Sequence, residues 1–87
     1  MEFEYDPPKS QTNEAKHGIN FEKAKSLWLD EKRLVIPARS TTEPREAMVA
    51  ELEGELWTAI FTPRGDGVRI ISVRKARDEE RENYHHR

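Results

Sequence analysis

The last third of the chain joins a turn, a strand-like run and a charged helix with almost no spacer between them. Gly65 and Gly67 mark the turn, and residues 68–74 are rich in the branched side chains that favour β-strands. Residues 76–84 are dense in charge and predict a helix. This end of the chain therefore requires a fold in which a β-strand leads directly into a helix.

Proline and glycine divide the N-terminal part into short elements. Residues 2–5 alternate apolar with charged side chains and stop at Asp6-Pro7-Pro8, which predicts a short strand. Ser10 or Thr12 is expected to cap the helix that follows. Gly18 is expected to end that helix in the left-handed conformation.

The second helix is predicted to start at Phe21 and to bury one face. Residues at spacings of three, four and seven form that face: Phe21, Ala24, Leu27 and Trp28. Lys32 and Arg33 are expected in its last turn, near the negative end of the helix dipole. We interpret Phe21, Trp28, Trp57 and Phe61 as core residues, with the stacking of nucleic-acid bases as the alternative.

Four strands are predicted in the remainder. Residues 34–38 form an edge strand, because Pro37 cannot donate to a ladder. After a polar loop over residues 39–44, residues 45–53 and 56–62 form a hairpin that turns at Glu53-Gly54-Glu55, and residues 68–74 form the last strand. The order β-α-α-β-β-β-β-α predicts one α+β domain over residues 1–87, with two N-terminal helices and a C-terminal helix on a small antiparallel meander.

Composition excludes several classes of protein. The chain has no cysteine, so disulfides and thiolate metal sites are excluded, and we expect a reducing cytoplasm. No apolar run is long enough for a membrane span, and residues 1–4 do not resemble a signal peptide. The net charge is −2, but residues 64–87 carry +2, which leaves −4 for the rest. A local basic surface for a polyanion is thus compatible with an acidic chain.

The arginines near the C-terminus are the first candidates for such a surface. Strand alternation places Arg69 and Arg74 on opposite faces of the last strand, where unpaired arginines are costly in a core and favour an open site or an interface. Arg74, Arg77, Arg81 and Tyr84 recur at spacings of three, four and three. The alternative is that Arg77 and Arg81 form only weak surface ion pairs.

Several segments together resemble one known family. They are the Tyr5-Asp6-Pro7 opening, the Lys16-His17-Gly18-Ile19 turn, Leu27-Trp28, and the closing pattern from Arg69-Ile70-Ile71-Ser72 to Glu80-Arg81 and Tyr84. In this order they are similar to the BrnT family of type II toxins, which resembles the RelE-like ribonucleases. Val73 is bulkier than the small residue expected in that pattern.

The resemblance implies a RelE-like fold and a metal-independent endoribonuclease that inhibits translation and needs no cofactor. Cleavage of RNA without a metal requires positive charge on the phosphate and groups that move protons. For charge we expect Arg64, Arg69 and Arg74. For proton transfer we expect His17, Tyr84 and one of the acids near Glu80, and for RNA binding Lys16, Arg77 and Arg81. His17 has an alternative role in holding the helix end.

The resemblance also implies a partner. A BrnA-like antitoxin, a ribbon-helix-helix DNA-binding protein, is expected to neutralise the toxin in a heterotetramer. The alternative function is a non-enzymatic module that binds such an antitoxin and tunes repression of an operon.

Overall fold

Nine elements follow one another in the structure, a computed structural model that describes residues 1–38 and 43–86. They are β1 (Phe3–Glu4), α1 (Pro7–His17), α2 (Phe21–Ala24), a 3-10 helix (Lys25–Leu29), β2 (Leu34–Ala38), β3 (Arg45–Leu52), β4 (Glu55–Arg64), β5 (Gly67–Lys75) and α3 (Asp78–His85). The α+β class and the element order are confirmed. Most of the predicted polar loop, residues 39–42, lies outside the described residues.

The five strands form one sheet in the order β1-β5-β4-β3-β2. Strands β2 to β5 are the expected antiparallel meander, but β1 pairs in parallel with β5, so the sheet is mixed. The helical segment between β1 and β2 carries the chain from one edge of the sheet to the other. The meander then leads back to β1, and its last strand, β5, runs in the same direction as β1. Gly67 permits this pairing, because a Cβ atom there would overlap the carbonyl oxygen of Glu2.

The core lies between the helices and one face of the sheet, which we call the inner face. The buried residues that pack together are Ile19, Phe21, Ala24, Leu27, Met48, Ala50, Trp57, Ala59, Phe61, Val68, Ile70 and Val73. Trp28 is half-buried and meets Phe3 and Phe61 edge to face at centroid distances of 5.1 and 5.2 Å. The prediction that the four aromatic residues belong to the core is therefore confirmed.

Two helix boundaries differ from the predictions. Helix α1 starts at Pro7 after Asp6, so Ser10 and Thr12 lie inside it and do not cap it. Proline suits the first helical positions, where an N–H would have no partner. Helical structure after Phe21 ends at Leu29, so Lys32 and Arg33 lie beyond its last turn. The left-handed end of α1 at Gly18, with φ of 81°, is confirmed.

A β-bulge in β5 changes which side chains share a face. Ile60 pairs with Ser72 but Phe61 pairs with Ile70, so Ile71 is an extra residue in β5. Ile70 and Val73 therefore both reach the inner face. Arg69, Ser72 and Arg74 share the outer face, and the prediction that Arg69 and Arg74 lie on opposite faces is wrong, because strict alternation fails across a bulge.

Helix α1 is attached to the sheet through polar side chains. Its two buried residues are Ser10 and Asn13. The Asn13 amide donates to the carbonyl oxygens of Ile19 at 2.8 Å and Val73 at 2.9 Å, and it accepts from the Val73 N–H at 3.1 Å. Ser10 Oγ accepts from the Phe21 N–H at 2.8 Å. The Asn13 side chain thus occupies the outer edge of β5 where β1 has ended.

We expect Asn13→Ala to destabilise the protein by about 3 kcal/mol or more, because it leaves buried backbone groups of Ile19 and Val73 without partners at about 1–3 kcal/mol each. Urea unfolding followed by circular dichroism measures the change. Gln11→Ala is the matched control, since Gln11 is exposed on the same helix. Equal unfolding midpoints for the two variants would contradict this role of Asn13.

Candidate functional site

Arg74 is bound by a carboxylate of α3. Its guanidinium donates to both oxygens of Glu80, at 2.8 and 2.9 Å. Glu80 Oε1 also accepts from Thr58 Oγ1 and from the Arg77 N–H, each at 2.8 Å. The hydrogen bond with Arg74 is the main reason that the pKa of Glu80 falls to about 2, and the same contact raises the pKa of Arg74. Arg74 therefore joins α3 to the outer face of the sheet.

We expect Glu80→Gln to lower the free energy of unfolding by about 1–3 kcal/mol near neutral pH, because Arg74 loses its charged partner. The folded-state pKa lies below the usual value of 4.5 for this group. The Glu80 contribution is therefore complete above about pH 4.5 and is lost as the pH falls through about 2. Chemical unfolding at a series of pH values should show the difference from wild type shrinking across that window.

Glu79→Gln is the control for that series, since Glu79 is exposed in the first turn of α3. A difference between wild type and Glu80→Gln that does not change down to pH 2 would contradict the assignment of the ion pair.

Tyr84 joins the other end of α3 to the rest of the fold. Its hydroxyl donates to Asp30 Oδ2 at 2.7 Å, and the same oxygen accepts from the Glu51 N–H at 2.8 Å. Arg81 lies 3.8 Å from Glu55, and the side chain of Arg77 is exposed. No residue of α3 is buried. Polar contacts such as these therefore hold the helix against the sheet.

Arg64 and Arg69 lie at the far end of the sheet, beside the β4–β5 turn. Arg64 lines a cavity with Glu2, Glu4, Asp66 and the adjoining turn residues. Arg69 is 3.4 Å from Glu4. Three carboxylates and one guanidinium line this cavity, so its lining has a net negative charge, which disfavours a phosphate.

Lys16 and His17 lie in a different place, along the outer edge of β5. They belong to a shallow cavity of about 230 Å³ that we call the α1–β5 groove. Its lining residues are Lys9, Thr12, Asn13, Lys16, His17, Ile71 and Ser72. The bulge at Ile71 forms its floor, and the three basic side chains are exposed. Within residues 1–38 and 43–86, none of these basic groups is in an ion pair.

The groove differs in charge from four other cavities on the described surface. It has no carboxylate, whereas each of four others includes at least one. Lys9 was not among the sequence candidates, although Lys9, Thr12 and Lys16 are spaced by three and four residues and share a helix face. That spacing is the sequence signal that could have identified Lys9 as a residue of the groove.

A second cavity, of about 310 Å³, lies on the other side of His17, and we call it the hairpin pocket. Its lining residues are His17, Gly18, Ile19, Lys23, Leu52, Glu53, Glu55, Trp57 and Lys75. His17 lines both cavities and therefore stands at their junction. The structure thus separates the sequence candidates into three places, with Lys16 and His17 together, Arg64 and Arg69 at the far end, and the others around α3.

Comparison with known families identifies the chain. Residues 5–80 match the family model described as the ribonuclease toxin, BrnT, of type II toxin-antitoxin systems. The chain belongs to the BrnT family. Its members are ribonuclease toxins that are paired with an antitoxin. The matched region of this BrnT chain contains the whole α1–β5 groove, whereas Tyr84 lies beyond it.

No curated protein matches this BrnT chain. None of the helices among its described residues is long and apolar enough to cross a membrane. In the same part of the chain, no group of three or more histidine, aspartate or glutamate side chains is arranged to hold a metal ion.

Proposed function

We propose that this BrnT chain is an endoribonuclease that binds the phosphate to be cut in the α1–β5 groove. The observation that carries the proposal is the charge of the groove, where Lys9, Lys16 and His17 converge without a carboxylate. Lysine is a compact point charge that binds phosphate, and the helix backbone fixes where the two lysine side chains start.

The groove offers positive charge and one group that moves protons, both of which serve RNA cleavage without a metal. In this reaction the 2′-oxygen loses its proton and bonds to phosphorus, while the bond to the 5′-oxygen breaks and that oxygen gains a proton. The products are a 2′,3′-cyclic phosphate and a 5′-hydroxyl. In this proposal His17 exchanges a proton with one of these two oxygens and water exchanges a proton with the other. Lys9 and Lys16 stabilise the negative charge that develops on the non-bridging phosphoryl oxygens.

The remaining sequence candidates receive other roles in this proposal. Arg74 and Tyr84 fix α3 through Glu80 and Asp30. Arg77 and Arg81 are exposed and can contact RNA away from the cut phosphate. Arg64 and Arg69 can do the same at the far end of the sheet, where Glu4 weakens the attraction.

The proposal includes the cellular role that family membership supports. We infer that the toxin acts in the cytoplasm and inhibits translation by cutting RNA in the manner of RelE-like enzymes. A BrnA-like ribbon-helix-helix antitoxin neutralises it in a heterotetramer. The alternative is a non-enzymatic module that binds an antitoxin, and it would use the edge strand β2, where Val35 and Ile36 are 44% and 37% exposed.

We expect purified protein to cut a labelled RNA in the presence of a chelator, and His17→Gln to lower the rate by about a hundredfold or more, because a group that moves a proton contributes on that scale. The double variant Lys9→Ala, Lys16→Ala should lose cleavage and weaken RNA binding. Gel analysis of the products, including the cyclic phosphate end, measures cleavage, and retardation of the labelled RNA in a native gel measures binding.

His86→Gln is the matched control, since His86 is exposed at the end of α3 and lies in neither cavity. Full cleavage by the His17 and lysine variants would show that the phosphate binds elsewhere. An inactive wild-type protein that still binds its antitoxin would favour the non-enzymatic alternative.

A further inference from the structure

The hairpin pocket has an apolar floor and a polar rim, and it adjoins the groove at His17. Ile19, Leu52 and Trp57 supply the apolar part. The rim carries both signs of charge, with Lys23 and Lys75 as donors and Glu53 and Glu55 as acceptors. A flat heteroaromatic ring with polar edges fits such a lining better than a phosphate, which the two carboxylates would repel.

Glu53 has an unusual backbone conformation for its residue type. It forms the two-residue turn between β3 and β4 with Gly54, and both residues have positive φ, 53° and 80°. Hairpin turns of this kind favour asparagine, aspartate or glycine at the first position. A glutamate there is in the left-handed region, which is unfavourable for a residue with a Cβ atom. The first position of this turn is thus occupied by a residue type that the backbone conformation does not favour.

That side chain lines the pocket, where it is 69% exposed and forms a surface ion pair. Glu53 Oε1 lies 3.0 Å from the ammonium of Lys23, which also lines the pocket. A carboxylate has two oxygens and about four acceptor positions, so this ion pair leaves acceptor capacity on Glu53. A ligand with two adjacent N–H donors would use both.

Guanine is the RNA base with this pattern. Its Watson–Crick edge presents the N1–H and the N2 amino group side by side, whereas adenine, cytosine and uracil each present an acceptor at one of the corresponding positions. Proteins read unstacked RNA bases through this edge and through apolar or aromatic contacts. Because His17 lines both cavities, a base in the hairpin pocket would belong to a nucleotide next to the phosphate in the groove.

We propose that the hairpin pocket binds a guanine base beside the phosphate that is cut, and that Glu53 accepts hydrogen bonds from its N1–H and N2 amino group. This inference rests on the proposed ribonuclease function and assigns a base preference to it. Ile19, Leu52 and Trp57 contact the ring, and Lys75 is close enough to the pocket to contact the guanine O6.

The test compares the binding of guanosine 3′-monophosphate and of adenosine 3′-monophosphate to the full chain. Tryptophan fluorescence and calorimetry measure the two affinities. Wild type should bind the guanosine nucleotide about tenfold more tightly, the scale of one bidentate base contact. Glu53→Gln should abolish that difference. Glu53→Asn should also abolish it while raising the melting temperature, because asparagine suits the turn. Loss of discrimination with gain of stability is not expected from a purely structural residue.

Glu51→Gln is the control, since Glu51 is exposed near the end of β3, two residues before Glu53, but pairs with Leu56 on the outer face. Equal affinities for the two nucleotides, no binding of either, or discrimination that survives in Glu53→Gln would each overturn the inference. Cleavage without preference for guanosine, combined with inactive His17→Gln, would overturn the base site and leave the ribonuclease proposal standing. Guanosine-selective binding without any cleavage would overturn the ribonuclease proposal and leave the base site standing.

Discussion

The amide of Asn13 connects three parts of the chain that would otherwise have little reason to stay together. It bonds α1 to the turn at Ile19 and to both backbone groups of Val73 in β5. Since α1 buries no apolar side chain, the hydrophobic effect alone cannot fix its position. The Asn13 contacts determine where Lys9, Lys16 and His17 stand relative to the bulge in β5. The candidate site therefore depends on a residue that contributes no charge to it.

The opposite face of the sheet uses polar contacts in a similar way. Arg74 and Glu80 form a largely buried bidentate pair, with side-chain exposures of 23% and 16%. A buried pair of this kind is costly to break on one side, which makes it a fixed point for α3. An arginine beside a strand is thus not sufficient evidence for a phosphate site. In this protein the exposed and unpaired lysines, in a groove whose lining residues include no carboxylate, are the better evidence.

Much of the fold could be predicted from the sequence, because glycine, proline and alternating apolar residues mark the elements directly. Gly18 ends α1, Pro37 lies on an edge strand, and Gly54 turns a hairpin, each for a local reason. The parallel pairing of β1 could not be predicted, because it depends on contacts between residues that are far apart in the sequence. The bulge at Ile71 has no composition signal, so the faces of β5 were misjudged. The role of Asn13 was missed because a polar residue in a helix is usually exposed.

RNA binding along α1 and the bulged edge of β5 is the central feature of the proposed function. The most direct test is amide chemical-shift mapping of the ¹⁵N-labelled protein with a short RNA whose 2′-hydroxyls are methylated so that it cannot be cut. We expect the largest changes in amide chemical shift at Lys9, Lys16, His17, Ile71 and Ser72, with smaller changes towards α3. Changes concentrated on α3 or on the β4–β5 turn, with α1 unaffected, would contradict it.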